Sequence, residues 1–180
     1  MRYRMLGIDL DGTLLNPHGQ VSDANLRALA QARAAGMLLV PCTGRGWREA
    51  RAGLNGFDPG VPGVFAGGSL LCTVGTGTSL DLAALEPHLA LEVVQRLWPL
   101  PEAVLVFRDI NLVGHDYLVT GAGTLSPNTQ WWFEATGVTA HFLREVTAAD
   151  LHHALRIGVV TVAARMRSIV ADLQAGFGTR

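Results

Sequence analysis

The chain has 180 residues, 49% of them hydrophobic and 16% charged, with 14 basic against 15 acidic side chains. That balance excludes a disordered chain and leaves no basic tract for a polyanion groove or an anionic bilayer, so neither nucleic acid nor membrane is expected as a partner. All fourteen basic residues are arginine, which excludes a Walker-A phosphate loop, a lysine Schiff base and any catalytic lysine.

The opening segment reaches Asp9 after a few apolar or small residues, too soon for the apolar stretch of a signal peptide. Cys42 and Cys72 are the only cysteines, too few for a disulfide framework, so a reducing, cytoplasmic location is expected. Residues 5–10 read as a buried strand ending in acidic residues and the turn-former Gly12. Asn16-Pro17-His18-Gly19 is a dense turn signal. Ser22 fits an N-cap, Leu26, Leu29 and Ala30 form an apolar helical stripe, and Gly36 fits the C-terminal stop. Residues 37–42 then read as a second buried strand, and strand, helix, strand within some forty residues is the pattern of a parallel sheet. Trp47 to Leu54 reads as a short helix and Val61 to Ala66 as a third strand, broken by Gly67-Gly68.

From about Ser69 the texture changes, and a domain boundary is expected there, giving units 1–68 and 69–180. Residues 72–79 read as a hairpin or loop, and Leu85, Leu89, Val93 and Leu97 lie on one helix face. A strand from Ala103 to Phe107 is expected to pair back through Leu112 to Gly114 across a turn at Asp109 to Asn111. Ser126-Pro127 opens a helix through Trp131 and Trp132, and Thr147 caps another near Leu151. Ile157 to Ala163 reads as a strand and Met166 to Ala175 as a closing helix. These elements form a second α/β module without internal repeats.

Asp9-Leu10-Asp11-Gly12-Thr13 carries the chemistry. Strand alternation sends both carboxylates to one side and Leu10 to the other. Their mutual repulsion is offset if a hard cation binds, and Mg²⁺ takes oxygen from one or two carboxylates plus phosphate and water, which makes Asp9 and Asp11 the expected ligands. An ionised Asp can attack phosphorus, and a second carboxyl can protonate the leaving oxygen and then activate water. An EF-hand loop is excluded, because Leu14 and Gln20 stand where it needs Gly and Glu. A glycosyltransferase-like metal-binding D-x-D motif and a phospho-acceptor Asp remain open. Thr43 follows the second strand much as Asp11 follows the first, so both ends open onto one crevice, where the Thr43 hydroxyl and Gly44 N–H can hold phosphoryl oxygens. Gly44-Arg45-Gly46 is no dinucleotide fingerprint, since Glu49 replaces the third glycine. Arg45 can pair with a phosphate or with a scaffold carboxylate. His152-His153, on a helix, diverge by about 100° and do not share a metal. His18 reads as a solvated turn residue, Trp131-Trp132 as core or interface aromatics, and Cys42 as a packed small apolar side chain.

Asp9 to Thr13 with Leu14-Leu15, followed some thirty residues later by Thr43-Gly44-Arg45, resembles the haloacid dehalogenase (HAD) superfamily, closest to its Cof-like sugar-phosphatase subgroup. The resemblance covers residues 5–70 by motif and the rest by layout. It implies an α/β fold, a HAD-like doubly wound parallel core with an inserted α/β cap, and Mg²⁺-dependent hydrolysis of small phosphorylated metabolites through an aspartyl-phosphate. It implies Asp9 as nucleophile, Asp11 as acid and base, both at the metal, Asp11 also through its backbone carbonyl, and Thr43 at the phosphoryl group; Gly12, Gly44 and Arg45 are expected beside it. The turn at Asn16 to Gly19 corresponds to the family's flap. The family's third-motif Lys and fourth-motif Gly-Asp segment have no counterpart, and Gly67-Gly68 replaces its usual Asn-Gly. The expectation is a core cut short, with the strand at 5–10 on an open edge prone to self-association and with weak or no turnover. The alternative is a non-catalytic metal- or phosphate-binding or regulatory protein that keeps the fold.

Overall fold

The computed structural model describes residues 3–178 and forms two compact units that meet between Ala83 and Ala84. The change of texture near Ser69 therefore precedes the division, and the residues between belong to a hairpin of the first unit.

In the first unit, β1 (Met5–Ile8) pairs in parallel with β2 (Leu38–Pro41), joined through α1 (Asp23–Ala34). The Ser22 hydroxyl accepts the Asn25 N–H at 3.2 Å, as the capping pattern predicts. Gly36 ends the helix segment at φ +82°, a left-handed value that L side chains rarely adopt. α2 (Trp47–Ala50) runs into a 3₁₀ turn, Arg51–Gly53. β3 (Pro62–Phe65) touches the β2 side through the parallel bridge Cys42 to Val64, and then pairs antiparallel with β4 (Leu70–Thr73), which pairs with β5 (Ser79–Leu82).

β1 is not the buried strand that its apolar composition predicts. Among the described residues it pairs only with β2, and Met5 and Leu6 are 63% and 40% exposed. An apolar run identifies a strand, but whether a neighbour covers it is a property of the whole sheet. The open edge itself is as expected.

The second unit opens with α3 (Pro87–Leu97), whose N-cap Glu86 accepts the His88 and Leu89 N–H groups. β6 (Val104–Arg108) is followed by a short helix, α4 (Ile110–Val113), then β7 (Tyr117–Thr120), α5 (Pro127–Thr136), β8 (Ala140–Phe142), β9 (Ala154–Gly158) and α6 (Ala163–Phe177). The sheet order is β8-β7-β6-β9, with only the β7–β8 pair parallel. Residues 112–114 do not pair back on β6: Asp109 accepts the Asn111 N–H, capping α4, and the return strand starts at Tyr117. β9 likewise precedes its expected span, and Ala163 starts the closing helix.

The apolar face of α3 is Ala90, Val94 and Leu97, packed on Val104, Val106, Leu118, Leu151 and Ala154, all buried. Leu85 and Val93 border that core, so the expected stripe is rotated by about one residue. On the other face of the sheet, Tyr117 packs against Phe107, Trp132 and Phe133 with ring centroids 5.1–5.6 Å apart. The tryptophan pair splits, since neighbours on a helix point about 100° apart, and Trp131 is exposed. Among the described residues no helix is long and apolar enough to cross a membrane. Leu118 is fully buried, so Leu118→Ala should lower the unfolding free energy by about 2–5 kcal/mol, measured by urea titration of the intact chain.

Candidate functional site

The parallel register of β1 and β2 fixes the site. Ile8 pairs with Pro41, and the Cys42 N–H donates to the Ile8 carbonyl at 2.8 Å. Asp9 and Thr43 thus leave neighbouring strands at the same end of the sheet.

After Asp9 the chain turns at once. Leu10, fully buried, anchors the turn Leu10–Leu14, and the Leu15 N–H donates to the Leu10 carbonyl at 2.9 Å. Inside it Asp11 keeps an extended ψ of 122° and Gly12 takes φ +73°, so strand alternation no longer orders the two carboxylates. Asp9 accepts the Thr13 hydroxyl at Oδ2 from 3.2 Å and lines a cleft of about 320 Å³ along β1 and α1 with Thr13, Asn25 and Leu29. Asp11 lines a second cleft, about 480 Å³, with Gly12, Asn16, Pro17 and Arg45. The carboxylates therefore face two depressions on either side of one turn. The Asn16 to Gly19 segment walls the second: Asn16 Oδ1 accepts the His18 and Gln20 N–H groups at 2.9 and 3.0 Å, and His18 is exposed there.

Arg45 meets Asp11 as a fork. Nε donates to Oδ2 at 2.8 Å and Nη2 to Oδ1 at 2.5 Å, while Nη1 donates to the Glu49 carbonyl at 3.2 Å. The Asp11 hydrogen bond and charge hold the Arg45 guanidinium above its ordinary value against the opposing effect of burial. Of the two partners expected for Arg45, a phosphate or a scaffold carboxylate, the geometry shows the scaffold carboxylate.

Thr43 is buried. Its hydroxyl accepts the Arg45 N–H at 3.2 Å, and its own N–H and carbonyl bond Val64 and Gly67, which leaves the hydroxyl proton to donate. Gly44 is exposed, and a Cβ built there meets nothing within 4 Å; neither packing nor backbone sign demands glycine, so the open space suits a close-approaching ligand. Two residues of the site escaped sequence reasoning. Thr13 was read only as part of the pentad. Glu49, buried, accepts the Gly46 N–H at 2.9 Å and steadies the turn after Thr43; the Gly-x-x-Glu spacing of a capping interaction carried that signal. Cys42 is half-buried with its Sγ 3.7 Å from the Val40 carbonyl, packed as expected. His152 and His153 are exposed, and among the described residues no group of three or more His, Cys, Asp or Glu is placed to hold a metal.

The Arg45 and Asp11 side chains are 34% and 56% exposed, so solvent screens the pair. A double-mutant cycle of Asp11→Asn and Arg45→Gln should give a coupling of about 0.5–1 kcal/mol in unfolding free energy at low salt. It should fade near 1 M salt, where the screening length is about 3 Å.

A family model for haloacid dehalogenase-like hydrolases matches residues 6–130, more than half of the chain. The HMP-PP phosphatase of Yersinia enterocolitica is 30% identical over 112 residues, 59% of this chain and 39% of that protein. Pyridoxal phosphate phosphatase YbhA of Escherichia coli is 30% identical over 97 residues, 54% of this chain and 36% of that one. The solved structure of a haloacid dehalogenase-like hydrolase from Bacillus subtilis superposes with a TM-score of 0.66 at 18% identity, covering 95% of this chain and 66% of that chain. The chain thus spans two-thirds or less of the length of these relatives. With the fold, the Asp9 to Thr13 turn and Thr43 at the adjacent strand end all in register, the chain belongs to the haloacid dehalogenase-like hydrolases.

Proposed function

We propose that this chain carries the nucleophile-bearing part of a Mg²⁺-dependent phosphatase for small phosphorylated metabolites, sugar phosphates among them. The first unit serves as core and the second as cap. The observation that carries this reading is the convergence of Asp9 and Thr43 on one sheet end through the β1–β2 register. Asp9 attacks phosphorus as the bond to the leaving oxygen breaks, and Asp11 gives that oxygen a proton. Asp11 then takes a proton from the water that opens the aspartyl-phosphate, releasing inorganic phosphate and restoring Asp9. The Thr43 hydroxyl and Gly44 N–H hold phosphoryl oxygens.

Asp9 fits the metal: it is an exposed oxygen donor, and Mg²⁺ takes as few as one carboxylate, with water and phosphate completing its shell; the Asp11 carboxylate, held by Arg45, would join it only on leaving that fork. When bound, the metal supplies the positive charge that lets a carboxylate approach a phosphate. A second reading, a phosphate-binding protein without turnover, is favoured by one contact: both Asp11 oxygens accept from Arg45, and a carboxylate so held is a poor proton donor.

Phosphate release from a panel of phosphomonoesters separates the two. Slow, Mg²⁺-dependent multiple turnover that disappears in Asp9→Asn is expected. Equal release by Asp9→Asn, or release indifferent to Mg²⁺, sinks the enzyme reading, and phosphate binding without release establishes the second. For the chain by itself, self-association through the open β1 edge is proposed from the exposed Met5 and Leu6. Sedimentation velocity should show a concentration-dependent dimer that Leu6→Lys abolishes.

A further inference from the structure

Arg108 ends the central strand β6 of the second unit and is only 8% exposed. Its backbone is locked on both sides, donating to the Asp116 carbonyl at 2.8 Å and pairing with Ala154 of β9. The side chain is under-satisfied: Nε has no hydrogen-bond partner, and Nη1 reaches only His115 Nε2, at 3.5 Å. The nearby carboxylates are committed elsewhere. Asp150 accepts the Thr147 N–H and hydroxyl at 2.8 and 2.7 Å and touches Arg108 only through its charge. Asp116 accepts the Thr139 N–H and hydroxyl at 2.7 and 3.0 Å, and Asp109 caps α4. A buried guanidinium without a carboxylate is costly, and the cost is recovered when an anion arrives.

One imidazole adjoins it and a second lies against the first. His115 sits just before β7, and His141 lies on β8 beside Leu118, their ring centroids 5.3 Å apart. Burial, then the Arg108 charge, then His141 push His115 below the ordinary imidazole range, against the Val113 carbonyl and Asp116. Strands β6 and β8 and the turn before β7 thus gather three cation-capable side chains, one of them buried with an idle donor, and the cluster opens to solvent through the exposed His141. We propose that Arg108, His115 and His141 form a binding site for an oxyanion, a phosphate or carboxylate group, held by the guanidinium and the two imidazoles. The proposal stands apart from the phosphatase reading of the first unit.

The test follows the imidazole Cε1–H signals of the intact chain by NMR, assigned with His115→Gln and His141→Gln, during titration with inorganic phosphate and, separately, acetate. Saturable movement of both signals is expected, with the His115 titration midpoint raised. Affinity should fall at least about tenfold in Arg108→Gln, the effect of losing one charge-assisted pair, and persist in Thr43→Ala, which separates this site from the first unit. A response to phosphate alone assigns a phosphoryl group, to acetate alone a carboxylate, and to both an oxyanion of either kind. Arg108→Met should leave the unfolding midpoint unchanged or raised while abolishing the response. Still signals with both anions, or an unaltered response in Arg108→Met, overturn the site.

Discussion

Two carboxylates closing one short strand must be compensated, and the rest of the first unit is arranged around that constraint. Leu10 is driven into the core between them, which forces the chain to turn within two residues of the strand end and separates the charges onto two clefts. Arg45 then neutralises Asp11 from the neighbouring strand end, and Thr13 offers Asp9 a single hydroxyl. The asymmetry is chemical. One acid is held by a full guanidinium fork, and the other keeps most of its lone pairs for whatever enters. A nucleophile needs the second environment.

What could be read from residues alone was whatever short-range chemistry decides. Ser22 and Ser126 each announce a helical turn because a hydroxyl satisfies an otherwise orphaned N–H, and at Thr147 the Asp150 carboxylate three residues on accepts both the backbone N–H and the hydroxyl. The βαβ order and the positions of Asp9 and Thr43 followed from strand periodicity. The failures were long-range. Residues 112–114 have strand-like composition, but Asp109 spends its carboxylate on the Asn111 N–H and amide, and the chain winds a turn of helix before pairing. β1 has the composition of a buried strand and stands at an edge, because a neighbour's presence is not encoded in its own four residues. A scaffold carboxylate is among the partners expected for Arg45, but that it is Asp11, thirty-four positions away, is decided only by the fold.

The two units differ in how one buried charge is satisfied. In the first, Glu49 is buried but accepts an N–H, and Arg45 is paired. In the second, an aliphatic core lies on one side of the sheet and an aromatic cluster on the other. There Arg156 still finds the Tyr117 hydroxyl at 3.0 Å and the Phe107 face, whereas Arg108 finds almost nothing. A guanidinium in that state contributes little to folding, since an apolar side chain of similar length would serve the core as well or better.

Arg45 also need not choose between its carboxylate and a phosphate. A guanidinium carries five N–H donors; two are spent on Asp11 and one on the Glu49 carbonyl, so two remain, one on each terminal nitrogen. A phosphoryl oxygen can take these without breaking the fork. The charge, however, is already spent: the Arg45–Asp11 pair is nearly neutral at a distance, so it can orient a phosphate but exerts weak long-range pull on a dianion. Replacing Arg45 by Lys would keep the unit charge and lose the geometry, which is the reason the two cations are not interchangeable at this position. Asp9, by contrast, has no salt-bridge partner among the described residues, so the charge at this end of the sheet that stays open to an entering cation is its own.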